Sequence, residues 1–242
     1  MLVDAHAHYR QPEELKAREG VLTVFCGTDP ETAAQALALA GGNVRVSCAL
    51  HPWHADRWNV SDMLPWIRRS AALGEIGLDS VWCDVDMAAQ REAFERQLGL
   101  ATELRLPIIL HTKGMELEIA RAIAAVPTRK LVHWYSCMEH LEKYLEQGCW
   151  FTVGPDFETN PAVRQVLRRV PLDRILTETD GLDAVAWALG RPARPEDIEP
   201  TLRAELRAIA ATHGITPAGA EARVEENLRR FLGNGDGEAS VK

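Results

Sequence analysis

Short apolar runs alternate along the chain with longer stretches of helical period. Residues 2–4 make the first apolar run and residues 21–25 the second. A helical pattern then opens at Asp29-Pro30-Glu31, runs rich in alanine and leucine to Ala40, and stops at Gly41-Gly42-Asn43. Proline just inside a helix start suits its fixed φ and missing donor, and glycine suits the stop. Residues 44–50 predict a third strand ending at His51-Pro52, and Ser61-Asp62 opens a helix to residue 70. A fourth strand is expected over residues 73–78, in Gly74-Glu75-Ile76-Gly77-Leu78-Asp79, followed by a long helix over 87–106. Four more strands are expected at 107–111, 130–133, 149–153 and 174–180, separated by helices at 115–125, 138–147 and 161–169. The Gly-, Pro- and Arg-rich segment 181–200 reads as a loop, and helices at 201–213 and 217–232 close the chain.

Eight β-α units of this size predict an α/β fold, a single (β/α)8 TIM barrel over residues 1–233, with 234–242 as a flexible polar tail. The competing architecture is an open doubly wound sheet. That fold expects a Gly-rich turn after the first strand, where this chain carries histidines. The composition, 46% hydrophobic and 26% charged over 242 residues, is that of an ordinary soluble domain. No apolar run approaches the roughly 20 residues of a membrane span, and the start has no signal-peptide character. A cytoplasmic location is the resulting expectation, without a membrane partner and with a monomer as the default state. Five widely spaced cysteines without a C-x-x-C predict reduced, mostly buried thiols. The net charge of −8 argues against general adhesion to a polyanion, so a nucleic-acid substrate would need local cations or bound metal.

The chemistry concentrates at strand ends. In Asp4-Ala5-His6-Ala7-His8, alternation places Asp4, His6 and His8 on one face, two imidazoles close together with an acid beside them. Glu75 lies on the fourth strand, His111 ends the fifth, His133 the sixth and Asp180 the eighth. In a barrel such ends share the face that carries active sites. Four histidines and two carboxylates exceed the needs of one tetrahedral ion. They suit two divalent ions about 3.5–4 Å apart with a bridging carboxylate. Imidazole with carboxylate accepts Mg, Mn, Fe or Zn, so the set does not choose the ion.

These stretches, with Leu50-His51-Pro52, Glu178-Thr179-Asp180 and the ending Asn227-Leu228-Arg229-Arg230-Phe231-Leu232-Gly233, resemble the TatD family of metal-dependent hydrolases within the amidohydrolase-like barrels. The motifs stand in family order from residue 4 to residue 233. The resemblance implies a barrel, two divalent metal ions and hydrolysis of phosphodiesters, as a DNase or 3′-to-5′ exonuclease acting on nucleic-acid ends. Carried over by position, it implies that His6, His8 and Asp180 hold one metal, His111 and His133 the other, and that Glu75 bridges. Lys113 lies beyond His111, and no lysine stands at a strand end in the bridging place.

The departures fall on the loops. The family often has His-Cys-Phe-Ser-Gly after strand six, where this chain has His133-Trp134-Tyr135-Ser136-Cys137; Lys113 stands where an arginine is frequent; Ile198-Glu199-Pro200 replaces Asn-Glu-Pro; and Gly181-Leu182-Asp183 follows Asp180. Reaction type is therefore better specified than substrate. Asp180 is the expected proton acceptor for the attacking water, with Glu75 in the catalytic centre and His51 as a donor to the phosphate or leaving group. Glu178 and Asp4 are expected to orient ligands from behind. Lys113, Trp134 and Tyr135 are the expected substrate contacts, with Trp53 also placed to stack on a base and Arg191 and Arg194 to add positive charge. Two other readings keep the same residues: hydrolysis of a small ester, amide or lactone, and a catalytically silent metal-binding partner protein.

Overall fold

The computed structural model describes residues 1–233; the expected tail, 234–242, lies outside the described residues. Eight strands are β1 (Leu2–Ala7), β2 (Val21–Gly27), β3 (Val44–Cys48), β4 (Leu73–Asp79), β5 (Ile108–Lys113), β6 (Lys130–Val132), β7 (Trp150–Val153) and β8 (Ile175–Thr177). Between and after them run α1 (Glu13–Ala17), α2 (Pro30–Ala38), α3 (Val60–Ile67), α4 (Met87–Leu104), α5 (Glu116–Ala122), α6 (Leu141–Leu145), α7 (Pro161–Arg169), α8 (Leu182–Leu189), α9 (Ile198–His213) and α10 (Pro217–Leu232).

All strand pairings are parallel, in the orders β1-β2-β3 and β4-β5-β6-β7-β8. Two seams join these sheets into the (β/α)8 barrel. At one, the Ala71 N–H donates to Val46 O at 2.8 Å and Ser47 bridges Ala72. At the other, the Asp180 N–H donates to His6 O at 3.0 Å and the Thr177 hydroxyl to Val3 O at 2.6 Å. Every residue of β1, β2 and β4 is buried, as expected of parallel strands covered by helices outside and side chains within. The polar residues on those strands are therefore buried as well, and each needs a partner or a ligand.

The helix starts obey local chemistry. The Asp29 carboxylate accepts from the N–H groups of Glu31 and Thr32, both at 2.9 Å, while the Thr32 hydroxyl accepts from the Asp29 N–H at 3.1 Å. At the base of the barrel the Asn227 amide donates to Leu172 O at 2.8 Å and Ile175 O at 2.9 Å, tying α10 to the entrance of β8. This gives the Asn227-Leu228 ending a structural task.

Several elements differ from expectation. β5 runs on to Lys113, so His111 lies within that strand and not at its end, and α6 is shorter than the expected 138–147. Residues 182–189 form α8 instead of loop. That stretch is apolar nearly all round, so no amphipathic period announces it, and its bounds come from Gly181 and Gly190, both at positive φ. The expected eighth strand ends at Thr177, three residues before Asp180. The short α1 had no periodic signal; its Glu14 carboxylate accepts from the N–H groups of Arg10 (3.0 Å) and Gln11 (3.2 Å) and so fastens the turn after β1.

Candidate metal centre and its cleft

Glu75 sits at the middle of the site, not at the end of its strand. It is the third residue of β4, and its two carboxylate oxygens face different groups of histidines. Oε1 lies 3.4 Å from His6 Nε2, 3.2 Å from His8 Nε2 and 3.8 Å from His51 Nε2. Oε2 lies 2.6 Å from His133 Nε2 and 3.4 Å from His111 Nδ1. Asp180 Oδ1 stands 3.3 Å from Nε2 of both His6 and His8. The six residues expected at the metal site thus converge from five strands or strand ends.

Several of these atoms are buried with no hydrogen-bond partner: both ring nitrogens of His6, Oε1 of Glu75 and Oδ1 of Asp180. Buried donors and acceptors left without partners are costly, and a divalent cation would satisfy them together. Candidate ligand atoms lie within 4.8 Å of one another in the groups His6–His133–Asp180, His51–Glu75–His111 and His6–Cys26–Glu75. An imidazole-carboxylate set of this kind fits Zn, Mn or Mg.

Burial opposes charge throughout the pocket, but mutual attraction overrides it. Glu75 and Asp180 are held below the ordinary carboxylate range by the imidazoles around them, despite desolvation. His6, His111 and His133 are raised above the imidazole range by the carboxylates, again against desolvation. His51 differs: burial dominates, aided by its histidine neighbours, and holds it well below that range. Its Nδ1 accepts the Trp53 N–H at 3.1 Å, so the neutral ring carries its proton on Nε2, toward Glu75.

The surrounding residues orient these groups. Asp79 accepts from His111 Nε2 at 2.9 Å, which leaves Nδ1 of His111 to face Glu75. The same carboxylate accepts the Trp53 indole N–H at 2.7 Å and the N–H groups of Val81 and Trp82 at 2.8 Å. Although burial works the other way, these bonds keep Asp79 ionised far below the usual range. The sequence alone does not mark Asp79 for this task; its place at the end of β4, two residues beyond Gly77, is the signal that points to it. Asp4 does not reach the histidines despite the alternation. The β1–β2 register shifts between Asp4 and Ala7, and the Asp4 carboxylate instead accepts from Arg18, from the Thr179 hydroxyl at 2.6 Å and from the Thr179 N–H at 2.8 Å. It thereby fixes the residue before Asp180. Glu178 lies behind His133, its Oε2 3.7 Å from Nδ1, and burial raises its pKa.

Asp180 has a left-handed φ of 54°, unusual for a residue with a Cβ, and Gly181 follows at φ 89°. A Cβ on Gly181 would stand 2.8 Å from His8 O, so glycine is what lets the β1 and β8 ends meet here. Trp134 also adopts positive φ, 34°. For a bulky side chain such a conformation costs on the order of 1–3 kcal/mol and is retained where the surroundings over-determine it.

The site opens into a cleft of about 660 Å³, the size of a small-molecule pocket. Lys113 and Trp134 line it as expected. The Lys113 ammonium donates to the Ser136 hydroxyl at 2.9 Å and lies 3.9 Å above the Trp82 ring, where partial burial lowers its pKa. Tyr135 is not part of the cleft. At 1% exposure it packs against Tyr144 and Phe151, and its hydroxyl donates to Glu139 O. The chain turns at Trp134, so adjacent aromatics face opposite ways. Arg191 and Arg194 also miss the cleft: Arg191 pairs with Asp197 at 2.6 Å, and the Arg194 backbone caps the same acid at 2.8 Å. The cations on the lining are Lys113 and Arg10, the latter paired with Asp183 at 2.7 Å. Trp82 and Trp187, neither singled out from the sequence, stand exposed on the rim.

Comparison with known proteins agrees with this geometry. The family model "TatD related DNase" matches residues 3–233. "3'-5' ssDNA/RNA exonuclease TatD" of Erwinia tasmaniensis is 29% identical over 242 aligned residues, covering 90% of this chain and 91% of that protein. "Uncharacterized metal-dependent hydrolase YjjV" of Escherichia coli is 31% identical over 219 residues, 80% of this chain and 85% of the relative. The crystal structure of YjjV superposes with a TM-score of 0.80 at 24% identity, covering 95% of this chain and 97% of that one. "3'-5' RNA nuclease TATDN2" of Homo sapiens is 32% identical over 184 residues, 68% of this chain but only 24% of the much longer human protein. Among the described residues no helix is long and apolar enough to cross a membrane. A match over nearly the whole barrel, joined to this clustering of histidine and carboxylate, means that the chain belongs to the TatD-related DNase family of metal-dependent hydrolases.

Proposed function

We propose that this protein is a two-metal phosphodiesterase that removes nucleotides from nucleic-acid ends, DNA foremost, in the 3′-to-5′ exonuclease manner. The observation that carries the reading is Glu75, a single buried carboxylate with one oxygen toward His6 and His8 and the other toward His111 and His133. In this reading His6, His8 and Asp180 would hold one divalent ion and His111 and His133 the other, with Glu75 placed between the two sets. Such a pair would activate water near neutral pH and neutralise charge developing on phosphoryl oxygens.

The remaining work falls to the protein's own side chains. Asp180 takes the proton as the water oxygen bonds to phosphorus, and returns it to the leaving oxygen as the P–O bond breaks. Its left-handed backbone and the Asp4–Thr179 bonds keep that carboxylate aimed at His6 and His8. His51 offers a neutral Nε2–H to a phosphoryl oxygen, as a hydrogen-bond donor and not as an acid. Lys113, held by Ser136 and Trp82, meets the next phosphate along the strand. Few phosphate contacts suffice for an enzyme that grips one end, which reconciles the reading with a net charge of −8.

The test is hydrolysis of end-labelled single-stranded DNA, RNA and a panel of small esters and lactones, with Mg, Mn or Zn added after chelation. Stepwise shortening from the 3′ end that chelation abolishes and metal restores is the expected result. Turnover of esters alone, with nucleic acid untouched under every metal, would overturn it.

A further inference from the structure

We propose that Trp187 and Trp134 form an aromatic corner that stacks the unpaired terminal base of a single strand, making Trp187 a specificity-determining residue. The proposal rests on the phosphodiesterase reading above and adds to it a site for the terminal base.

One wall of the corner is fixed. The Trp134 N–H donates to the Thr152 hydroxyl at 2.8 Å, and its indole N–H to Asp156 Oδ1 at 2.8 Å. Asp156 is itself held, its Oδ2 accepting from the Asn160 amide at 2.8 Å. Gly154 makes room for the indole, since a Cβ there would stand 2.4 Å from Trp134 Cδ1. Positive φ, a locked indole and a glycine seat are three separate devices holding one aromatic ring at the mouth of a cleft.

The other wall is Trp187 on α8. It is 65% exposed, an expensive place for the largest apolar side chain, and it borders the same cleft. The two ring centroids lie 5.7 Å apart with planes at 69°, so the rings meet edge to face, two aromatic surfaces at a steep angle on one wall of the cleft. A flat base can lie on the Trp187 face with its rim against Trp134. Trp187 is also tied to the chemistry, because α8 starts at Leu182, two residues after Asp180. The other rim tryptophans are already engaged: Trp82 lies beneath the Lys113 ammonium and Trp53 donates to Asp79. In a blunt duplex the end base keeps one face stacked on its neighbour and its edge paired, so a corner that needs both a face and an edge favours a frayed or single-stranded end.

The test measures binding of short phosphorothioate-linked single strands, which resist cleavage, to the Mn-loaded full-length protein by fluorescence anisotropy. Strands with normal terminal bases are compared with strands abasic at both ends and with a blunt duplex. The wild type is expected to prefer the normal strand over the abasic one by about tenfold. Trp187→Ala should reduce that ratio to near one, and Trp187→Phe should restore most of it. An absent preference in the wild type, a preference that survives Trp187→Ala, or equal binding of the blunt duplex would overturn the proposal. Hydrolysis of bis(p-nitrophenyl) phosphate, which has no base, is followed in parallel. Turnover of that diester without base preference removes the corner and leaves the phosphodiesterase. Base preference with no hydrolysis of diester or DNA keeps the corner and removes the phosphodiesterase.

Discussion

The floor and the rim of the cleft are built by different means. The floor is made of strand residues: His6, Glu75, His111 and the groups beside them are buried, and Asp79 and Asp4 hold their neighbours by hydrogen bonds. The rim is made of loop and helix residues: Trp53, Trp82, Trp187 and the Arg10–Asp183 pair stand in solvent. A sheet holds side chains to a fraction of an ångström, whereas exposed elements tolerate change. On the proposed reading chemistry resides on the floor and selection on the rim, and two of the departures from family pattern, Trp134 and Gly181-Leu182-Asp183 at the start of α8, border the cleft.

That division is broken most directly at Glu75. Glu75→Ala leaves a nest of imidazoles with no central anion. Metal content measured after dialysis should fall to background, and hydrolysis by at least about 10³-fold, since metal-activated water is lost. A rim variant with an equal loss would erase the distinction between floor and rim. Next in size is Asp79→Asn, which weakens the bond that orients His111. Metal affinity or activity should drop about 10–100-fold with the fold intact, as is usual when the partner of a ligating histidine is changed. A smaller effect is expected on the rim: Lys113→Ala should raise KM for oligonucleotides several-fold with kcat nearly kept, and steepen no salt dependence. Steady-state kinetics at two ionic strengths would show this, the salt slope falling by about one contact.

The pH response sharpens the comparison. Protons held by His6, His111 and His133 above the usual imidazole range must leave before a metal can bind. Metal affinity should therefore fall as pH drops, and binding near pH 7 should release protons, measurable by calorimetry in buffers of different ionisation enthalpy. The smallest effect concerns Glu205 on α9, buried behind the floor, where its Oε2 accepts the Glu178 N–H at 3.1 Å. Burial, then the nearby Asp4 and Glu178, push its pKa well above the carboxylate range. For an acid with a raised folded pKa the penalty is absent below the unfolded pKa and grows as pH rises above it. Glu205→Gln keeps an acceptor and removes the charge, so its melting temperature should gain a few degrees near pH 7 and nothing at pH 4; about 1 kcal/mol is 2–4 °C in a chain this long.

Much of the fold was legible because burial writes itself into period. The bounds expected for α7 and α10 match to the residue, and the strand starts agree within one or two. The candidate ligands were legible because a barrel puts the carboxyl ends of all strands on one face, so a histidine in the second half of β5 and another just after β6 must be neighbours. Residues whose role depends on a local turn were not legible. Trp134 and Tyr135 are adjacent aromatics of equal promise in the sequence, and a left-handed φ at Trp134 sends one to the cleft and the other into the core. The helix α8 escaped notice because an apolar stretch with no polar face carries no period to read.

The amino-acid sequence by itself determined the eight strands, the helices α2–α7, α9 and α10, and the residues available near the strand ends, because alternation and helical period depend only on neighbours along the chain. Only the tertiary structure decided that each Glu75 oxygen would face its own group of histidines, that Asp79 would hold His111, and that Trp187 would stand beside Trp134. Those outcomes depend on distances between residues far apart in sequence. Closure of the barrel sets such distances, and no local pattern encodes them.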